Sequence, residues 1–387
     1  MKETSRKHID SGKSSFPLAG WKIIFINAFV EKPVTGGEIY NYIAYRSMLD
    51  NGASVRLLDL PLKKGKGIIN IRNLVKPVLW LGNMLSLDNR YVIAVDNFYA
   101  PLIAIPILLL RIFTSTRIIV FNHTVRTRMN PLKMGLALFF EKLVLRFSNL
   151  VLVNSNLTYK LMGMSKIHSK VYHLSPPITV KPHFVDRRKR RSGFVSLLYV
   201  GSIVKNKGLH TIIESLALCN DFCWQLRVAG DPSYKPQYYR MCRQLVEKNR
   251  LNNKVVFLGY LDNKQIEQEF IDADIFLLPS RVESYGMVYM EAAAKCLPII
   301  STYTGVVAEY FTPDENVCIV PYNDIHALAK SISKLAKNQE LRCKLGENAY
   351  RQIDLSYGIE QMYNRATDIL CDIIPRGKRK ITHQKLK

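Results

Sequence analysis

Short apolar runs and helical patterns alternate along this chain, and the alternation happens twice. In the first half, Trp21–Val30, Ala53–Leu60, Tyr91–Val95, Arg117–Phe121 and Leu150–Asn154 read as strands. Near-continuous apolar runs of this length suit a parallel sheet buried on both faces. Helical patterns run to about Asn51 and over Met134–Phe147. In the second half, Ser196–Val200, Gln225–Ala229, Val255–Leu258, Ile275–Leu278, Ile299–Ser301 and Cys318–Val320 read as strands. Helices are predicted at 208–218, 266–270, 287–294, 325–337, 339–352 and 357–374. Between the two series, Ser175-Pro-Pro177 and Arg187-Arg-Lys-Arg-Arg191 carry no apolar periodicity, which marks a linker. The expected fold class is α/β, with two Rossmann-like doubly wound parallel-sheet domains facing a cleft. The expected boundaries are a disordered basic N-terminus at 1–16, a first domain at 17–177 and a basic linker at 178–194. A second domain at 195–355, a last helix at 356–374 and a basic tail at 375–387 complete the chain.

The net charge is +24, and it is unevenly placed. Residues 1–194 hold 30 Lys and Arg against 10 Asp and Glu, whereas residues 195–375 hold 19 against 21. A domain-confined excess of cations points to an anionic partner: a membrane surface, nucleic acid or an acidic polymer. The segments 61–81 and 131–147 mix cations with an apolar face, and the tail is basic, which suits an anionic bilayer. The same pattern also describes ordinary core helices with solvated Lys and Arg. The apolar run Phe98–Leu110 is broken by two prolines and is too short to span a membrane. The seven cysteines lie in the second half without a CxxC pair, so neither a disulfide framework nor a zinc site is expected. Reduced thiols, and an N-terminus with no apolar signal core, lead to a cytoplasmic expectation. On that reading the sequons at Asn122 and Asn156 are chance matches. No aromatic-interleaved basic groove is evident, so a nucleic-acid partner is not expected.

Candidate site residues gather at the carboxyl ends of the strands, where open α/β sheets bind ligands. Glu283 and Glu291 flank the junction between the strand 275–278 and the helix 287–294, with Ser284 expected as the N-cap. Eight residues of helix rise about 12 Å, so the two carboxylates are placed to hold opposite ends of an elongated ligand. The spacing alone equally fits a solvated amphipathic helix. The loop Gly201–Gly208 between strand and helix offers backbone N–H groups and Lys207, a combination suited to a diphosphate; it is not a Walker loop. Gly36 and Gly37 follow the first strand, and His123 follows the strand 117–121. Asp272-Ala-Asp274 has the look of a metal-binding pair but sits at a helix end, where capping and surface roles are expected. Glu309 reads as a surface or packing residue.

Taken jointly, these segments resemble the retaining GT-B glycosyltransferases, specifically glycosyltransferase family 4. The resemblance rests on Leu198-Tyr-Val-Gly-Ser-Ile-Val-Lys-Asn-Lys-Gly208, Val228-Ala-Gly-Asp231, Val256-Phe-Leu-Gly259, Ala273-Asp-Ile-Phe-Leu-Leu-Pro-Ser280 and Glu283-Ser-Tyr-Gly-Met-Val-Tyr-Met-Glu-Ala292. The first half resembles the family more loosely, through Gly36-Gly37-Glu38, His123 and Asn154-Ser155. Ser356-Tyr357 resembles the point where the family's last helix crosses back to the N-terminal domain.

The resemblance implies a GT-B hexosyltransferase-type enzyme with a nucleotide-sugar donor, UDP- or GDP-linked, and no further cofactor or metal. It implies Lys207 at the diphosphate, Glu291 at the ribose hydroxyls, and Glu283 and His123 near the transferred sugar. Gly201, Ser202, Gly36, Gly37 and the N–H groups of Tyr285, Gly286 and Met287 would line the donor. The expected acceptor is a lipid-linked or membrane glycan, and the expected place is peripheral on the inner face of a membrane. Three positions depart from the family pattern: Ser202 stands where Arg is common, Cys296-Leu297 replaces a Gly, and Ser175-Pro-Pro177 replaces an Asn-Gly turn. The missing Arg keeps a catalytically degenerate partner subunit open as an alternative, beside a DNA-glucosylating GT-B enzyme.

Overall fold

The computed structural model describes residues 18–26, 36–58, 91–123, 131–161, 170–189 and 194–373. The N-terminus 1–16, the basic segment 61–81 and the tail 375–387 lie outside the described residues. Among the described residues, two six-stranded sheets form the frame. The first contains β1 (Lys22–Ile26), β2 (Ser54–Leu58), β3 (Tyr91–Asp96), β4 (Arg117–Asn122), β5 (Leu150–Val153) and β6 (Lys170–His173), in the order β2-β1-β3-β4-β5-β6. The second contains β7 (Val195–Val200), β8 (Trp224–Ala229), β9 (Val255–Gly259), β10 (Ile275–Leu278), β11 (Ile299–Ser301) and β12 (Cys318–Ile319), in the order β12-β11-β10-β7-β8-β9. Every pairing between these strands is parallel. The expected pair of doubly wound domains is therefore the observed fold.

The strands follow from burial on both faces. In β3, β4 and β5 every residue after the first is buried, so alternate residues feed two separate cores. One core holds Phe25, Ala94, Phe121 and Leu152; the other, on the opposite face, holds Ile24, Val95, Val120 and Val153. Strand order reverses between β1 and β3 in the first sheet and between β7 and β10 in the second, which opens a crevice above each switch point.

The run Phe98–Leu110 contributes the helix Ala100–Phe113, with Pro101 in the first turn and Pro106 inside. A first-turn proline gives up an N–H that has no helical partner anyway. Among the described residues no helix is long and apolar enough to cross a membrane.

Two stretches join the halves. The helix Ile359–Ile373 returns to the first domain, burying Met362, Ala366, Ile369 and Leu370 against Tyr40, Ile43 and Met48. Its Thr367 hydroxyl lies 2.9 Å from that of Ser47 and accepts from the Asn51 amide at 3.0 Å. Where the chain crosses, Ile178 N–H donates to Tyr357 O at 3.0 Å and the Tyr357 hydroxyl donates to Ser175 O at 3.0 Å.

The basic run after residue 186 is not uniformly solvated. Arg187 is buried, and its guanidinium donates to the carbonyls of Phe270 (2.8 Å), Ile271 (3.3 Å), Ala273, Lys295 (3.0 Å) and Cys296 (3.1 Å). These carbonyls lie at the C-terminal ends of the helices Asn263–Asp272 and Met287–Ala293. Helix C-termini carry unpaired carbonyls and a partial negative charge. One side chain therefore caps two helices. Lys295 is also buried, donating to Lys181 O at 2.5 Å and to Glu267 Oε1 at 2.6 Å.

Candidate functional site

The two switch points face each other, and the predicted residues collect between them. On the C-terminal side, Gly201 closes β7, its N–H donating to Ala229 O at 3.0 Å. The loop then turns through a short 3-10 segment, Lys205–Lys207, into the helix Leu209–Ala217. Gly208 sits at φ 73°, and a Cβ there would lie 2.4 Å from Pro279 O. No other residue lets this loop approach β10 so closely. The two loops are also tied by backbone: Arg281 N–H donates to Asn206 O, and the Asn206 amide donates to Val282 O, each at 2.8 Å.

That closeness sets the central pair. Lys207 Nζ lies 2.5 Å from Glu283 Oε1, with both side chains largely shielded from solvent. Glu283 N–H donates to the Thr304 hydroxyl at 3.0 Å, which fixes the carboxylate's backbone. Lys207 and Glu283 are 76 residues apart in sequence, so only the fold joins them.

The helix after this loop is the seven-residue Met287–Ala293, and its cap is not Ser284. Gly286 holds the N-cap position at φ 93°, with no side-chain cap bond, and a Cβ there would run into the Tyr289 ring. A left-handed cap is open to glycine and closed to serine at comparable cost. Ser284 instead offers its carbonyl to the Ser155 hydroxyl of the first domain at 2.7 Å. The loop's carbonyls are thus engaged: Tyr285 O accepts from Val306 N–H at 2.8 Å. The N–H groups of Tyr285, Gly286 and Met287 carry no such bond among the described residues.

The first domain meets this loop directly. Gly36 and Gly37 open the helix Gly36–Asp50 rather than precede it. A Cβ on Gly36 would lie 3.0 Å from Met287 Sδ, and one on Gly37 would lie 2.9 Å from His123 Cε1. Gly36, Gly37, His123 and Met287 therefore line one gap between the domains. His123 is buried at the end of β4, with Nε2 3.2 Å from Asp96 Oδ2. Asp96 also accepts from the Asn41 amide at 2.9 Å and the Phe98 N–H at 2.8 Å. Burial pushes the Asp96 carboxyl up, but the His123 charge and these hydrogen bonds outweigh it and hold it below the ordinary value. An ionised Asp96 accepts at this distance and orients the imidazole.

Asp96 is a site residue that sequence reading misses. Its signal is a carboxylate ending an apolar strand that neighbours the strand of His123. Glu309 also exceeds its expected role. Its carboxylate accepts from Leu157 N–H at 2.9 Å and Asn156 Nδ2 at 3.3 Å, tying the second domain to the first. Asp274 accepts from Ser196 N–H at 2.9 Å, and Asp272 from Gln268 Nε2 at 2.8 Å; both are structural partners.

Ser202 has no cation to give and presents its carbonyl to the Tyr199 hydroxyl at 2.9 Å. Glu291 stands apart from the Lys207 pair. It is buried in the helix Met287–Ala293, and its partner is the Thr179 hydroxyl of the crossing chain. Burial raises its proton affinity, and the Thr179 bond only partly offsets that. A carboxyl whose folded pKa is raised loses stability as pH climbs above its unfolded value, about 4.3. Glu291→Gln is therefore expected to stabilise the unliganded protein. In urea unfolding, its advantage over wild type should widen as pH rises from about 4.3 towards neutrality. A constant gap across that range would show that the ionised carboxylate carries no burial penalty.

Two facing α/β domains, a crossover helix and a cleft between switch points define the GT-B architecture. The structure superposes on sucrose-phosphate synthase from Thermosynechococcus elongatus with a TM-score of 0.75 at 19% identity, covering 91% of this chain and 98% of that one. It superposes on Anabaena HepE, in complex with UDP and glucose, with a TM-score of 0.70 at 16% identity, covering 91% and 100%. Residues 184–352 match the family model described as Glycosyl transferases group 1.

The chain is 29% identical over 151 residues to an uncharacterized glycosyltransferase of Methanocaldococcus jannaschii, covering 39% of this chain and 41% of that protein. It is 27% identical over 179 residues to the capsular polysaccharide biosynthesis glycosyltransferase CapM of Staphylococcus aureus, covering 43% and 45%. These matches span under half the length of either relative. Together the family match, the relatives and the fold support a GT-B glycosyltransferase.

Proposed function

We propose that this chain is a retaining glycosyltransferase of family 4, moving a hexose-type sugar from a UDP- or GDP-linked donor to a lipid-linked or membrane glycan. The observation that carries this reading is the Lys207–Glu283 pair at one switch point, opposite the His123–Asp96 pair at the other. Transfer of a glycosyl group from a nucleotide diphosphate builds negative charge on the leaving diphosphate and positive charge at the anomeric carbon. Lys207 and the N–H groups of Tyr285, Gly286 and Met287 suit the first. Glu283 suits the second, lying beside the same cation. Gly201 and Ser202 give the donor backbone room, while Gly36 lets the first domain close against Met287 and Gly37 makes room for the His123 ring. His123, oriented by Asp96, approaches the sugar from that domain. Glu291 accepts hydrogen bonds from the ribose. Because fixed cations and N–H groups supply the charge stabilisation, the reading includes independence from metal ions. The excess of cations in the first half of the sequence supports a peripheral position on the cytoplasmic face of a membrane as part of this reading.

A thermal-shift screen of UDP- and GDP-sugars tests the donor assignment. A true donor at 100 times its dissociation constant stabilises the protein by about 2.7 kcal/mol. The hit is then supplied with membrane glycan acceptors, with and without chelator, and the anomeric configuration of the product is read by NMR. A screen in which no nucleotide sugar stabilises the chain would end this reading. Ser202, at the position where the family carries Arg, favours one second reading: a donor-binding GT-B subunit without turnover. Donor binding with neither transfer nor hydrolysis would select it.

A further inference from the structure

We propose that the outer face of the helices Ala100–Phe113 and Pro131–Phe147 is a docking surface for an anionic lipid bilayer. The inference deepens the membrane part of the reading above by naming the surface that makes the contact. Both helices use one side to cover the first sheet: Ile103, Ala104, Ile107 and Leu110 on one, Val144 and Leu145 on the other, are buried in a single core. Their opposite sides are apolar as well. Ile105, Leu109 and Ile112 are 59%, 44% and 69% exposed, at the i, i+4, i+7 spacing of one helical stripe. Leu136 and Phe139 on the second helix are each 60% exposed. Isolated exposed apolar residues need no explanation, but a contiguous set on adjoining helices marks an interaction surface.

Charge decides what covers it. Arg111, Lys142 and Arg146 are exposed at the edges of this face, and none has a carboxylate partner among the described residues. Glu141 is the one acidic residue in either helix sequence, and it is buried, accepting from the Asn97 amide at 2.9 Å. Among the described residues of these two helices, the outer face is therefore apolar and its exposed charges are all cationic. Burial, and after it the nearby Arg111 charge, lowers the proton affinity of Arg117. A second copy of this face would set these cations against themselves, whereas anionic headgroups around inserted side chains neutralise them. The position also fits. Phe98, 46% exposed, heads the first helix and donates its N–H to Asp96, so the face begins at the rim of the cleft.

The test uses the full chain, sedimented with vesicles of phosphatidylcholine alone or with phosphatidylglycerol, at low and high salt. Three proteins are compared with wild type: Ile105→Gln/Leu109→Gln/Leu136→Gln, Arg111→Gln/Lys142→Gln/Arg146→Gln, and Leu218→Gln as a control on the second domain. All these side chains are exposed, and an unchanged unfolding midpoint confirms intact folding in each.

The expected result has three parts. Wild type binds anionic vesicles and keeps part of that binding at high salt, where exposed charges are screened but apolar insertion is not. The apolar triple variant loses roughly ten-fold or more of its partitioning, including the salt-resistant part. The cation variant loses the preference for phosphatidylglycerol, and Leu218→Gln behaves as wild type. If wild type binds and the apolar variant binds equally, this face is wrong while the membrane reading survives. If wild type fails to bind, both fall. If wild type self-associates and the apolar variant alone becomes monomeric, the face joins copies of the chain and the bilayer assignment is overturned.

Discussion

Glu283→Ala and Lys207→Ala are each expected to lower the transfer rate by about 10²–10³-fold, the usual cost of removing one pre-organised charge from a reacting site. The two should differ in binding. The Lys207 ammonium is shared with the Glu283 carboxylate at 2.5 Å. Removing the carboxylate frees that cation and takes away a repulsive charge, so UDP should bind Glu283→Ala at least as tightly as wild type while turnover falls. Removing Lys207 leaves a shielded carboxylate facing the diphosphate, so UDP affinity and turnover should fall together. Isothermal titration with UDP and a transfer assay on the same samples separate the two patterns. Full activity in both variants would overturn the site, whatever the fold.

Arg187→Ala should produce the largest loss of stability. Its guanidinium is the shared cap for carbonyls at the ends of two helices, and five carbonyls accept from it. An unsatisfied buried polar group costs about 1–3 kcal/mol, so the loss should reach about 4 kcal/mol even with partial relaxation. Whole-domain stabilities are only about 5–15 kcal/mol, so much of the variant should be insoluble when expressed. Arg187→Lys should be nearly as damaging, because an ammonium is a point donor and cannot span five acceptors. Urea unfolding at constant m-value measures it; a change within about 1 kcal/mol would mean that water replaces the guanidinium without penalty.

The frame of this molecule was legible because its strands are buried on both sides. Ile275–Leu278 could be read as a strand from four apolar residues, and the structure makes it β10. The edge strand β6, Lys-Val-Tyr-His, gave no such signal, since neither face is fully buried. The helix Ala100–Phe113 was hidden by two prolines and by being apolar all round, which erases the periodicity that identifies a surface helix.

The Lys207–Glu283 pairing rested on resemblance, because 76 residues of intervening sequence carry no geometric information about it. Arg187 was read as one charge in a basic run. Hydropathy patterns record where carbon goes, and a cap for two helix ends depends on carbonyl directions that only the folded backbone has. Ser284 failed as a cap for a related reason: residue preference favoured it, but the loop's close contacts required Gly286 in a left-handed turn.

The crossover helix also dictates the order in which the chain can finish folding. The second domain draws its core from a continuous stretch, Ile178 to Ile353. The first domain begins its core at Leu18 but completes it with Met362, Ala366, Ile369 and Leu370. During synthesis, the first domain lacks one wall until the segment from Met362 to Leu370 has also been made. Meanwhile Ile43, Met48 and their neighbours face outward as sticky surface, the state in which nascent domains are captured by chaperones or by each other. The half translated second can close first, and it then delivers the segment that seals its predecessor.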